Sequence, residues 1–214
     1  AILAGLDDAR LAHGVARSFA SPRRLAVSVA DVVASQDDRE VTHRGPPVSV
    51  AFDDAGEPTR AAEAFAKNCG VELDALAREK TDAGEWLVHG ATEKGQPAAA
   101  LIPGIVRSAL DALPIPRRMR WGANDAEFVR PVHWLVMMHG DAVIPGSVLG
   151  IKAGNTTRGH RFHAPAELLI KRPAEYHSLL ESARYVVADF YARRTKIFAQ
   201  VTGEAQRAGG DVVA

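Results

Sequence analysis

Cysteine is almost absent from this sequence: Cys69 is the only one in 214 residues. A lone thiol rules out an internal disulfide and a cysteine-based zinc site, and it fits a reducing cytoplasm. Net charge is absent as well, since 26 Lys and Arg offset 26 Asp and Glu. No global field marks the whole chain as a binder of nucleic acid or membrane, so any electrostatic signal is local. No apolar run approaches the roughly 18 residues of a membrane span. The first residues lack a basic segment followed by an apolar one, so no secretory leader is expected. Motifs of nucleotide and hydrolytic chemistry are missing too: there is no GxGxxG, no phosphate-loop pattern, no GxSxG and no HExxH. ATP or dinucleotide binding by this stretch therefore has no motif behind it.

What is present is ordinary globular material, 47% apolar and 24% charged, far from the profile of a disordered segment. GVARSFA and RRLAVSVADV, joined by Ser21 and Pro22, alternate with period two and predict a hairpin with Leu25, Val27 and Val29 on one face. RGPP at Arg44 to Pro47 is expected to interrupt regular structure, because two prolines remove two backbone donors. A turn is expected at DDAGEP. PTRAAEAFAKNCG then predicts a short helix capped by Gly70, and GEWLVHGAT a strand. QPAAALIPGIVRSALDAL predicts a second helix that starts or kinks at Pro103.

RPVHWLVMMHG and DAVIPGSVLGI are the strongest strand candidates, with Gly140 and Asp141 between them. NTTRGHRFH would be the next strand, and PAEYHSLLESA and VADFYARRTKIFAQVTGEAQRAGG read as helices. The order predicts an α+β fold: a largely antiparallel sheet, helices packed on one side and a long amphipathic helix at the end. One compact unit is expected over residues 1–187, with a sub-boundary near 114–117, followed by a helix and connection over 188–214. The chain opens at Ala1 and stops within GGDVVA, where a strand-like run begins, and it reads as a piece of a longer protein.

Asn155 to His163, NTTRGHRFH, concentrates the polar chemistry. His160 and His163, with His133 and His139 upstream, suggest metal ligands, but no accompanying carboxylate or thiolate spacing is present, and on a strand His160 and His163 would face opposite ways. A catalytic reading of the histidines beside Thr156 and Thr157 lacks an orienting carboxylate and an oxyanion hole. Phosphate contact has local support. From Arg117 to Arg172 nine basic residues face four acidic ones, a balance of +5 that leaves the rest of a neutral chain at −5. Trp121, Phe128, Trp134 and Phe162 are interleaved as stacking partners or as core. A solvated basic face is the plain alternative.

Several ordered motifs carry a family resemblance: SPRRLAV, RGPP, AFDDAGEPTRAAEAFAKNCGV, GEWLVHGATEKG, RRMRWG, EFVRPVHWLVMMHGDAVIP, LGIKAGNTTRGHRFHAP and YVVADFYARRTKI. In order and spacing, from about Leu3 to about Ile197, they resemble the N-terminal third of the bacterial glycyl-tRNA synthetase β subunit. The family's opening strand and acidic segment, its HD-type helical domain and its anticodon-binding domain have no counterpart in these residues.

The resemblance implies an α2β2 aminoacyl-tRNA synthetase that charges tRNA(Gly) with glycine in the cytoplasm, away from any membrane. ATP and Mg2+ are bound by the α subunit, which holds the aminoacylation site, so no cofactor, metal or catalytic residue is expected here. This segment is expected to help position tRNA and assemble the enzyme. Arg158 and Arg161 are the first candidates for tRNA contact, flanking Gly159, followed by His160, Arg120 and Arg130. For each arginine the competing role is an internal ion pair with Glu127, Asp125 or Asp189. The rival functions are an assembly module docked on the α subunit, supported if an apolar patch is exposed around WLVMMHG, and an editing-type domain like that of the phenylalanyl synthetase β subunit. Glycine is the smallest amino acid, so larger ones are excluded sterically at the synthetic site and a second sieve is less needed.

Overall fold

The computed structural model describes residues 1–53, 55–82, 84–123 and 125–213, without the side chains of Ala183 and Arg184. Along the chain, helix α1 (Ile2–Asp8) precedes strands β1 (Ala16–Ser21), β2 (Arg24–Val29) and β3 (Arg39–Pro47), then helices α2 (Val48–Ala51) and α3 (Arg60–Cys69). Strands β4 (Ala77–Thr81) and β5 (Gly84–Glu93) lead to helix α4 (Ala98–Asp111). Nine short strands follow: β6 (Met119–Arg120), β7 (Glu127–Phe128), β8 (Leu135–Val136), β9 (Met138–His139), β10 (Ala142–Val143), β11 (Ser147–Val148), β12 (Ile151–Gly154), β13 (Thr156–Arg158) and β14 (Glu167–Leu169). Helices α5 (Tyr176–Arg184) and α6 (Phe190–Arg207) close the sequence. The fold is α+β as the residue pattern predicts, and among the described strands only β8 and β12 pair in parallel. No described helix is long and apolar enough to cross a membrane.

The chain forms two compact units, Asp37–Gly95 and the combination of Ala1–Gln36 with Gln96–Ala214. No shift in composition announces this division, and the sequence suggested one unit through residue 187.

In the unit Asp37–Gly95, β5 lies between β3 and β4 in an antiparallel sheet. Leu87 of β5 is buried with Ala51 and Ala62, and Phe52, Phe65, Leu73 and Leu76 complete that core. α3 begins where the Thr59 hydroxyl accepts from the Ala61 N–H at 3.3 Å, and ends at Gly70 in the left-handed conformation, φ 70°. Such caps satisfy backbone groups that the helix itself leaves open. RGPP differs from expectation. β3 runs through it, with a register shift between Arg44 and Pro47. The prolines are tolerated because β3 is an edge strand and a bulge already breaks the ladder there. Gly45 sits against Phe65, whose Cδ1 would lie 2.5 Å from any Cβ added at that position. In the expected turn at DDAGEP, Asp53 Oδ1 accepts from the Ala55 and Glu57 N–H groups at 3.0 and 2.8 Å, while Asp54 lies outside the described residues. The ends of the unit are fastened together by the Gly95 N–H donating to Asp38 Oδ1 at 2.9 Å and by the Arg39–Glu93 ion pair at 2.7 Å.

The other unit is organised around α4. On one side Leu6, Leu11 and Ala98 form a buried cluster, and on the other Met137, Ile144 and Val148 form a second; Ile102 touches both. Pro103 lies inside α4. A third cluster, Phe19, Leu168, Leu180, Val186 and Ala188, gathers the β1–β2 hairpin, β14 and α5. The hairpin is as expected, and the face that carries Leu25 and Val27 is the open one: Phe19 is buried, whereas Leu25 is 57% exposed and Val27 46%. Phe19 and its cross-strand partner Ala26 fill the inward face, and Phe19 gains the ring of Tyr176 at 5.9 Å. RPVHWLVMMHG and DAVIPGSVLGI are not long strands. They break into β8 to β12, with the turn at Gly140 as expected (φ 60°). Met137 is buried and the neighbouring residues of WLVMMH are half-buried, so no apolar patch is open there.

Candidate nucleic-acid interface

The NTTRGHRFH stretch does not continue as a strand. β13 ends at Arg158, which pairs across the ladder with Glu167 of β14, and residues 159–163 turn away. The expectation that His160 and His163 face opposite ways is therefore corrected. In the turn the Phe162 and His163 N–H groups both donate to His160 Nδ1 at 3.3 Å, and the His160 carbonyl accepts from the Ala164 N–H at 2.9 Å. The two imidazoles end 4.6 Å apart. Because Nδ1 accepts, the neutral His160 ring carries its proton on Nε2, which leaves that edge as a donor. Among the described residues no group of three or more His, Cys, Asp or Glu is placed to hold a metal ion.

A ring cluster covers this turn. His160 lies 6.2 Å from Phe162, and His163 lies 5.6 Å from Tyr185. Phe162 is 78% exposed and Tyr185 71%, so Phe162 is not core. The Arg161 guanidinium sits 5.6 Å from the Phe162 ring centre, within cation–π range. Arg161 and Arg130 take part in none of the ion pairs found among the described residues.

Arg158 and Arg120 are paired. Arg120 meets Asp125 at 3.5 Å and Glu127 at 3.6 Å, the partners named from sequence, whereas Arg158 meets Glu167 at 3.0 Å, a partner that was not. Asp189 is engaged elsewhere: it caps α6 by accepting from the Ala192 N–H at 2.9 Å and lies 3.7 Å from Arg17. That backbone donor is the main reason its carboxyl titrates below the usual range. Arg158 and Glu167 also border a cleft of about 210 Å³ together with His133, Trp134, Lys152 and Thr156. The acidic partners of Arg120 border a different cleft, of about 300 Å³, with Arg107, Asp111 and Arg118. Of the five candidates, Arg158, His160 and Arg161 thus share one hairpin end, Arg120 lies by its own acidic cleft, and Arg130 is exposed in the bend after β7.

Arg24, at the start of the second hairpin strand and not among the five candidates, holds the turn in place. From the start of β2 its guanidinium donates to the carbonyls of Arg158 and of Gly159, the latter at 3.0 Å, and lies 5.7 Å from the Trp134 ring centre. Burial disfavours its charged form and lowers its pKa, an effect that Tyr176 counters. The same burial pushes the Tyr176 phenol up. Tyr185 is the other residue missed. It follows α5 in the left-handed conformation, φ 56°, and no local spacing signals that it will meet His163.

Known proteins resolve what class of molecule carries this surface. The chain is 50% identical over 213 residues to the glycine--tRNA ligase beta subunit of Marinobacter nauticus, covering 99% of this chain and 31% of that protein. The Hahella chejuensis protein of the same name is 49% identical over 208 residues (97% of this chain, 30% of that protein), and the Cronobacter sakazakii one 48% over 208 (97% and 30%). These relatives are subunits of an aminoacyl-tRNA synthetase. The family described as glycyl-tRNA synthetase beta subunit matches residues 1–214, and the chain belongs to that family. It spans a little under a third of the length of those curated relatives.

Proposed function

We propose that this chain works within a glycyl-tRNA synthetase that charges tRNA(Gly) with glycine, and that the end of the β13–β14 hairpin is a surface on which tRNA rests. ATP, Mg2+ and glycyl-adenylate formation belong to the partner α subunit. The reading is carried by one observation: Arg161, unpaired among the described ion pairs, lies beside the exposed ring of Phe162, which continues through the half-buried His160 to the exposed rings of His163 and Tyr185. A cation for phosphate and an open π-face for an unpaired base are the two elements of sequence-tolerant RNA contact. Arg158 contributes a second cation whose exposed ion pair with Glu167 exchanges for phosphate at little cost. His160 Nε2 offers a donor to a ribose or base edge. Arg120 and Arg130 are secondary, Arg120 because two carboxylates already hold it.

The test is filter binding of tRNA(Gly) to the assembled enzyme over a range of salt. Arg158→Ala with Arg161→Ala is expected to lower the slope of log K against log salt by about 1.4–1.8, the value for two phosphates. Phe162→Ala with Tyr185→Ala is expected to weaken binding by about 1–3 kcal/mol per stacked base without changing the slope. Unchanged affinity and slope in folded protein refute the proposal.

A further inference from the structure

Helix α6, 18 residues from Phe190 to Arg207, buries none of them. Yet it carries Phe190, Tyr191, Ile197, Phe198 and Val201, all exposed, with Tyr191 at 75% and Phe198 at 60%. At 3.6 residues per turn these five fall within an arc about 120° wide, the width of a core-facing stripe. Among the described residues, the hydrogen bonds that tie this helix to its surroundings are at its start. Asp189 caps it, and the Arg193 guanidinium donates to the carbonyls of Ala20 and Val187 at 2.8 and 2.7 Å. A helix of this length is marginal in water unless its apolar face is packed, so the stripe calls for an occupant.

We infer that the occupant is the part of the full-length β subunit lying outside residues 1–214, docked on the α6 stripe within the same polypeptide. The relatives devote more than two thirds of their length to such sequence, since this chain covers 31% of the Marinobacter nauticus protein. The area decides between a tethered and a free partner. The stripe from Phe190 to Val201, roughly 18 Å long and 10 Å wide, offers about 180 Å², against about 800 Å² per partner in a stable interface between separate chains. A tethered segment closes on so small a surface because the linkage supplies a high effective concentration. Arg194 lies within the arc, so the occupant carries a carboxylate or backbone carbonyl opposite it.

The inference rests on family membership and not on the RNA surface, so the two fail separately. The test places the photocrosslinking residue p-benzoylphenylalanine at position 198 of the full-length subunit, assembled with its partner, with and without tRNA(Gly). The expected product is an intrachain link to a peptide outside residues 1–214, unchanged by tRNA. Its yield is expected to fall at least fivefold when Ile197→Glu and Val201→Glu are added. A link to the α subunit, to a second β subunit or to tRNA overturns the inference, as does no link at all. Insensitivity to the two glutamates overturns it as well.

Discussion

Replacing Arg24 by Met tests whether one guanidinium fixes the turn that follows β13. Met keeps much of the stem against Trp134 but leaves the Arg158 and Gly159 carbonyls without their donor. A hydrogen bond from a charged group contributes about 1.5–3 kcal/mol, and a partly exposed cation–π contact about 0.5–1 kcal/mol. Against these stands the desolvation of a half-buried guanidinium, the same burial that lowers its pKa. The balance is a loss of about 2–3 kcal/mol on Arg24→Met. At about 2–4 °C per kcal/mol for a chain of this size, melting falls by roughly 5–10 °C. Arg24→Lys keeps the charge but cannot span two carbonyls, and recovers about half the loss. Urea denaturation followed by far-UV circular dichroism and tryptophan fluorescence reads both variants. If Arg24→Met stays within about 0.5 kcal/mol of the parent, the fork does not hold the turn and the reasoning is refuted.

Three further outcomes are expected. Gly45→Ala drives a Cβ to 2.5 Å from Phe65 Cδ1 and should cost about 1–3 kcal/mol by overpacking, read by thermal melting with Trp86 fluorescence; a neutral result means Phe65 moves freely. Thr157 is buried and its hydroxyl has no hydrogen-bond partner among the described residues, so Thr157→Val should stabilise by about 0.5–2 kcal/mol in urea. His13 bonds to the Gly14 carbonyl and to Asp7, which raise its pKa above 6.5. Its contribution is complete below pH 6.5 and is lost as pH rises through the raised value. Stability measured against pH should therefore slope downward just above pH 6.5 in the parent, and this step should vanish in His13→Gln.

The readable parts of the sequence were those with local causes. α3 follows from Thr59, the alanine-rich period and Gly70, and β5 from an apolar run of strand length. The β1–β2 hairpin was legible too, yet not its orientation, since Leu25 and Val27 look more apolar than Phe19 and Ala26 and only the distant Leu180 and Tyr176 decide which face closes. RGPP misled because proline reports a missing donor without saying whether the strand is an edge. The candidate site was half visible. Arg158, His160 and Arg161 adjoin in sequence, whereas Arg24 and Tyr185 reach the same turn only through tertiary contacts. The counted +5 treated Arg120 and Arg161 alike, while neighbouring carboxylates neutralise the first.

The division at Asp37 and Gly95 has a further consequence. Gln96 donates to the Gln36 side chain at 3.1 Å, and the Gln36 N–H donates to the Gln96 carbonyl at 3.0 Å. The polypeptide thus leaves and rejoins its host framework at nearly one point. A splice of one or two glycines across that gap would leave the host strands and helices in their register. Residues Asp37 to Gly95, with their own core and their own clasp between Asp38 and Gly95, form a cassette. In heredity, such a module can be gained, lost or exchanged in a single recombination without rewriting the surrounding chain.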